Sequence, residues 1–295
     1  MKKAHKSRIE YFFFQAFLKI FGLFPYRLVE KFLIHLFRFG GMRLKIRYQV
    51  AYKNLQKVFP DKSKAQLQQI MREMYAEIGR TAAETYFGDT AELLQNCEID
   101  GYQHLAAALS GGKGAILATL HMGNWELAGI KFAQDNKVSV IYKNQRNKYF
   151  NQYTNRLRKK QNIVLIEKKK ALRAILKLLK ENYIVAILMD QNAGKNGILT
   201  NFLGHPASTF VGTAKIAAKQ NCPIVPAVAL RDKNGRNRII IEAAISTENV
   251  GSSDREIKQL TEAVSERLEK YIIAHPSQWF WVHKRWKGAG KAKIV

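Results

Sequence analysis

The spacing of apolar and polar positions changes near residue 97. Upstream, the spacing is helical. Residues 26–39 place Leu28, Val29, Phe32, Leu33, Leu36 and Phe37 on one stripe, with Arg27, Lys31, His35 and Arg38 opposite, which predicts an amphipathic helix. Residues 64–87 predict a long helix that starts after Pro60, where Ser63 and Gln66 have capping-box spacing. Downstream, short β-branched runs at 114–120, 138–142, 163–166, 184–189 and 223–229 read as strands. Helical stretches fall between them: 169–181, with Leu172, Ile175, Leu176 and Leu179 on one face, and 208–220, rich in small residues. Such alternation predicts a layered α/β fold, its central sheet mostly parallel and flanked by helices. No repeat or linker interrupts it. The simplest division is a helical membrane-associating region over 1–40 and an α/β catalytic domain over 41–295.

The amino-terminal region carries basic residues and then an apolar run from Tyr11 to Phe24, broken by Gln15 and Lys19. The run is shorter than the ~20 residues of a spanning helix, and no small-residue cleavage site follows it. Dense aromatics beside a basic face predict attachment at the interface of an anionic membrane. The plainer alternative is a core-packing helix with a solvated basic face. Charge supports an anionic partner: 49 Lys and Arg against 23 Asp and Glu leave a net charge of +26. Lipid headgroups, an acidic carrier protein and nucleic acid all fit that excess. The two cysteines, Cys97 and Cys222, lack metal-ligand spacing and suit a reducing compartment as buried residues.

Candidate chemistry concentrates in His121-Met-Gly-Asn-Trp-Glu126, directly after the strand at 114–120. In open α/β sheets ligands bind at the carboxyl ends of strands. His121 and Glu126 cannot share one helix face, but they can meet if the chain turns at Gly123-Asn124. A carboxylate on one ring nitrogen fixes the tautomer and leaves the other nitrogen as a general base. Several other chemistries lack their motifs: no Gly-x-Ser-x-Gly elbow, no Gly-x4-Gly-Lys-Ser/Thr loop and no Gly-x-Gly-x-x-Gly fingerprint occurs. The seven histidines form no His-x3-His pair, so neither a metal nor a cofactor is expected.

The run 121–126 resembles the signature of the bacterial lipid A biosynthesis (lauroyl/myristoyl) acyltransferase family, within the wider glycerolipid acyltransferases that carry His-x4-Asp/Glu. Further matches follow in family order: Leu188-Met-Asp190-Gln191-Asn-Ala-Gly194, Asn201-Phe-Leu-Gly204 with Thr209 and Gly212, Pro223-Ile-Val-Pro226, and Gln278-Trp-Phe-Trp-Val-His283-Lys-Arg285-Trp286-Lys287. The resemblance implies that His121 is the base and Glu126 its partner. It also implies that Asn124, Arg156, Arg158 and Asp190 bind substrate, the arginines holding a phosphate or the developing oxyanion. Plainer roles stand beside these: a solvated helix face for the arginines, and a turn cap for Asp190. Trp279, Trp281 and Trp286 are expected to pack in the core, and His283 to be structural.

The expected activity is transfer of a fatty acyl group from a thioester to a hydroxyl of a lipid A precursor or related glycolipid. Backbone N–H groups near Gly123, with Arg156 or Arg158, are expected to hold the oxyanion. Acyl carrier protein is the expected donor and acyl-coenzyme A the alternative. The expected location is the cytoplasmic face of the inner membrane, on an anionic surface, with no nucleic-acid partner. Another glycolipid or a lysophospholipid is the alternative acceptor, and two rivals of other classes remain: a thioesterase, in which water replaces the alcohol, and a basic membrane-binding module without catalysis.

Overall fold

The computed structural model describes residues 2–168 and 171–294. Four helices lead: α1 (Lys2–Phe21), α2 (Tyr26–Met42), α3 (Tyr48–Val58) and α4 (Lys64–Phe87). The last starts where the capping box places it, with Ser63 accepting from the Gln66 N–H and Gln66 accepting from Ser63. α2 lies against α4, where Gly79 is in such close contact that a Cβ would come within 2.7 Å of the Leu33 carbonyl. Both helices have glycine or alanine at such crossings because any larger residue would push them apart.

After α5 (Thr90–Gln95) the chain alternates: β1 (Glu98–Asp100), α6 (Tyr102–Ser110), β2 (Ala115–Thr119), α7 (Trp125–Asp135), β3 (Val138–Tyr142), α8 (Lys148–Lys160), β4 (Val164–Glu167), α9 (Ala171–Lys180) and β5 (Ile184–Leu188). A hairpin, β6 (Ile198–Phe202) and β7 (His205–Thr209), precedes α10 (Gly212–Gln220), β8 (Ile224–Arg231), β9 (Asn237–Ile241) and α11 (Asp254–Ala274). The seven-stranded sheet runs β1-β9-β8-β2-β5-β3-β4. Every pairing is parallel except β8 with β9. This is the expected layered α/β fold with a mostly parallel sheet.

All five expected strands are present. Three helix bounds differ, the helix expected over 26–39 running on to Met42. The helix expected over 169–181 is described as Ala171–Lys180, residues 169 and 170 lying outside the described residues. The helix expected from 208 starts at Gly212, because Ser208 and Thr209 complete the hairpin. Side chains alternate across the sheet, as strand geometry requires. Ile116, Ala118, Val185, Ile187 and Val228 face the large core under α4, α9, α10 and α11. Ala115, Leu117, Ile184, Ala186, Ala227 and Ala229 face the core under α6 and α7. Trp279 and Trp281 are buried in the first core. Cys97 and Cys222 are buried and free.

α1 packs on α8. Tyr11 stacks on Tyr149 with ring centroids 5.6 Å apart, and Phe14 meets Phe150 at 4.7 Å and Tyr153 at 5.5 Å. Arg8 donates to the Tyr149 hydroxyl at 2.8 Å, and Asn147 donates to the Ser7 carbonyl at 2.9 Å. The opposite side of α1, the turn after it and the outer stripe of α2 remain exposed, including Phe13, Leu23, Leu28 and Phe39. No helix among the described residues is long and apolar enough to cross a membrane.

Candidate active site

Strands β2 and β5 are neighbours, and Thr119 pairs with Leu188. His121 and Asp190 therefore each lie two residues past the same register point, at adjacent carboxyl ends. The His121 Nδ1 and Asp190 Oδ1 atoms are 2.7 Å apart, and Asp190 Oδ2 accepts from the His121 backbone N–H at 2.9 Å. The Trp279 indole N–H also donates to Oδ2, at 2.7 Å. Burial alone would favour a neutral Asp190; the His121 charge and the donors around it outweigh burial and hold the carboxyl near 2. An ionised Asp190 fixes the proton of neutral His121 on Nδ1 and leaves Nε2 as the lone-pair nitrogen. The Gln191 amide lies 3.3 Å from that Nε2. Burial disfavours the imidazolium, but the charges of Asp190 and Glu126 and the Asp190 hydrogen bond prevail, raising His121 above the ordinary histidine value.

The carboxylate on the imidazole is therefore Asp190, and the expected pairing of His121 with Glu126 is corrected. Glu126 sits in the first turn of α7, across from α8, and is taken by Arg158. The Arg158 guanidinium donates through Nε to Glu126 Oε2 at 3.0 Å and through Nη2 to Oε1 at 2.5 Å. That bidentate pair fixes the guanidinium plane at the cavity wall, where both residues line the space beside His121. Arg156 is exposed on the same helix and takes no part in the wall, so the structure brings one of the two expected arginines to the site.

Asn124 is also displaced from its expected role. It is the N-cap of α7: its side-chain oxygen accepts from the Leu127 N–H at 2.9 Å, and its amide donates to Glu84 at 2.6 Å. Both ends of the side chain are used, and it is 3% exposed. It shapes the site from beneath and does not reach the cavity. The Gly123 N–H, expected to help an oxyanion, is bonded to the Gln278 carbonyl at 3.1 Å. Gly123 has φ +54°, and a Cβ there would lie 2.5 Å from the Ala229 carbonyl oxygen. Only glycine lets the chain turn so close to β8.

Trp125 meets the His121 ring edge-on, with centroids 5.2 Å apart. The two residues open onto a cavity of about 910 Å³ that reaches both faces of the sheet. On the α7 face it is lined by Leu117, Ala128, Gly129, Phe132, Val140 and Ala186; on the other face by Leu172, Ile175, Ile187, Phe210 and Ile216. Ala128, Gly129 and Ala186 are small, which leaves room for a long apolar guest between helix and sheet. Lys143, Lys168 and Lys215 add positive charge to the wall. His283 lines it as well, its Nε2 accepting from the Asn192 N–H at 3.0 Å. Burial lowers its pKa, as befits a neutral structural histidine. Among the described residues no cluster of His, Cys, Asp or Glu is suited to hold a metal ion.

The sequence gives no direct sign of three contributors: Trp279 as a donor to Asp190, Gln191 beside Nε2, and Glu84 beneath Asn124. Their partners lie 89, 70 and 40 residues away. The available clue was Gln191 itself, adjacent to Asp190 in the quoted run.

The model of the bacterial lipid A biosynthesis acyltransferase family matches residues 1–288. A phosphatidylinositol mannoside acyltransferase of Mycobacterium tuberculosis is 25% identical over 64% of this chain and 59% of its own length, so the chain spans about three-fifths of that relative. The lipid A biosynthesis lauroyltransferase of Escherichia coli is 23% identical over 83% of this chain and 80% of its own. The solved 1-acyl-sn-glycerophosphate acyltransferase of Thermotoga maritima has TM-score 0.42 and 15% identity, covering 87% of this chain and all of that one. With a match across nearly its whole length, the chain belongs to the bacterial lipid A biosynthesis acyltransferase family.

Proposed function

We propose that this protein transfers a fatty acyl group from an acyl thioester to a hydroxyl of a lipid A precursor or related glycolipid. The observation that carries this is the lone-pair Nε2 of an Asp190-oriented His121, 3.3 Å from the Gln191 amide, opening onto a large apolar cavity. The acyl chain lies under α7. Nε2 takes the proton of the acceptor hydroxyl as its oxygen attacks the thioester carbon. Asp190 stabilises the resulting imidazolium. The Arg158 guanidinium, held by Glu126, faces the oxyanion as a preorganised donor. Collapse of the tetrahedral intermediate breaks the C–S bond, and the imidazolium returns its proton to the departing thiolate. No acyl-enzyme is required, because the donor is already activated.

Acyl carrier protein fits as donor through charge: a surface at +26 attracts an acidic carrier and accelerates encounter. The exposed aromatic and aliphatic residues of α1 and α2, set among basic ones, support a reading of peripheral attachment to an anionic membrane surface, the cytoplasmic face of the inner membrane being the proposed location. Two relatives, named as a phosphatidylinositol mannoside acyltransferase and a lipid A biosynthesis lauroyltransferase, support a glycolipid as acceptor.

The test is a transfer assay with radiolabelled acyl carrier protein and acyl-coenzyme A. A lipid A precursor, a phosphatidylinositol mannoside and a lysophospholipid are offered in parallel, with His121→Ala as control. Label on the lipid A precursor that depends on His121 is expected. Label only on another lipid would reassign the acceptor. Release of free fatty acid without transfer would replace acyl transfer by hydrolysis, and folded His121→Ala protein with normal turnover would overturn the mechanism.

A further inference from the structure

The turn that joins His121 to α7 rests on a buried ion network that the mechanism above does not use. Arg231, at the end of β8, is 4% exposed and Glu84 of α4 is 6% exposed. The Arg231 guanidinium donates to both Glu84 oxygens, at 2.6 and 3.0 Å, and through Nε to Glu77 at 2.9 Å. Glu84 Oε2 in turn accepts from Asn124, and Oε1 from Asn237 at 3.1 Å. The Arg231 backbone is equally committed. Its N–H donates to the Gln278 side chain at 2.7 Å, and its carbonyl accepts from the same amide at 2.8 Å. Gln278 accepts from the Gly123 N–H through its carbonyl, while Thr81 of α4 donates to the Gly123 carbonyl at 3.3 Å.

We infer that Glu84 and Arg231 are positioning residues, which fix the Gly123–Asn124 turn and thereby the placement of His121 relative to Trp125 and Glu126. Both the side chain and the backbone of Arg231 converge on those two residues. Stability alone does not account for the arrangement, because well-packed apolar residues replace buried ion pairs with little loss. An apolar substitute would leave the Asn124 amide without an acceptor. Through that bond, and through Thr81 on the Gly123 carbonyl, α4 sets the angle at which α7 leaves the sheet. α7 carries the indole against the imidazole and the carboxylate that holds Arg158. The role for these residues rests on the acyl-transfer reading; the geometry they impose does not.

Asn124→Ser separates positioning from capping. Serine caps a helix as well as asparagine does, but it lacks the amide that reaches Glu84. Amide hydrogen exchange is measured by mass spectrometry, alongside the melting temperature, kcat, and KM for the acyl thioester. Exchange over residues 122–127 is expected to rise at least about tenfold with α4 and α11 unchanged, kcat to fall about tenfold or more, and KM to stay constant, as for displaced catalytic groups. Glu84→Gln keeps an oxygen for Asn124 but loosens the grip of Arg231, and the Glu84→Gln/Asn124→Ser pair is expected to lose no more kcat than the worse single variant. Wild-type exchange over 122–127 in Asn124→Ser would overturn the inference, as would multiplicative losses in the pair. If the wild-type protein transferred no acyl group, the acyl-transfer reading would fail while the exchange measurement still decided whether the network holds the turn.

Discussion

Asp190→Asn is the substitution whose outcome the geometry specifies most closely. Oδ2 accepts two N–H donors, from His121 and Trp279, whereas Oδ1 faces Nδ1. An asparagine oxygen is therefore drawn to the Oδ2 position, which puts its amide nitrogen opposite Nδ1. The amide then donates to Nδ1, the ring proton moves to Nε2, and the base is lost at the atom that faces the cavity. To recover the working tautomer the amide must turn over and confront two N–H groups with its own. Each buried donor left without an acceptor costs about 1–3 kcal/mol, so about 2–6 kcal/mol stands between this variant and the competent state. At about 1.4 kcal/mol per decade, kcat falls about 30-fold to about 10⁴-fold. A serine-protease aspartate changed to asparagine loses about 10⁴ for the same tautomeric reason. The assay is initial-rate transfer across pH with saturating thioester. In the wild type, activity rises with pH through an ionisation above the ordinary histidine range, because His121 must lose its raised proton to act as base. Without the Asp190 charge that ionisation moves down. A variant within fivefold of wild type, with its pH midpoint unmoved, would refute the assignment of Asp190 to the ring.

Three further outcomes follow from other residues. Gly129 faces the cavity, and a Cβ there finds no atom nearer than Ile163 Cδ1 at 4.0 Å. Gly129→Leu keeps the helix and is expected to shift preference toward shorter acyl chains, read by competition between thioesters of different length. Arg158→Lys keeps the charge but loses the bidentate grip on Glu126; kcat is expected to fall by about 10- to 100-fold, whereas a fall confined to KM would move Arg158 from the reacting centre to substrate capture. Glu269, largely buried, is pushed up to about 7 by burial, partly offset by the Leu203 N–H. Between its unfolded value near 4.5 and 7 the folded state binds more protons than the unfolded one, so this group makes stability fall as pH rises through that window. Glu269→Gln is expected to flatten the decline in chemical-denaturation midpoints between pH 5 and about 7.5.

The layered fold and the location of the site were legible because both depend on local patterning. Runs such as Ala115–Thr119 and Ile184–Leu188 are apolar and β-branched throughout, as buried parallel strands require. The short edge strand Glu98–Asp100 and the polar hairpin at 198–209 lacked that signal, since their pairing supplies what their composition does not. His121 stood out by its place after a strand and before a glycine turn. The identity of its carboxylate did not, because two acidic residues competed. Glu126 is five positions away in sequence, and Asp190 is 69 positions away but in register across β2 and β5. Strand order decides that contest, and strand order is a property of the whole sheet. That Asn124 and Arg156 point away from the cavity stayed hidden for a related reason: motif position fixes proximity along the chain, not the direction of a side chain.

The clasp between α1 and α8 bears on how the protein can be handled. α8 is the helix that carries Arg158, and its inner side is held by Tyr11 and Phe14 of the amino-terminal helix. A chain shortened to begin at Tyr26, to rid it of exposed aromatic residues, would release Tyr149, Phe150 and Tyr153 along with them. The guanidinium would then hang from a helix with one side unsupported. Solubility gained by such trimming would come from removing the same helix that holds the cavity wall in place, and inactivity of the trimmed chain would say nothing about the intact one.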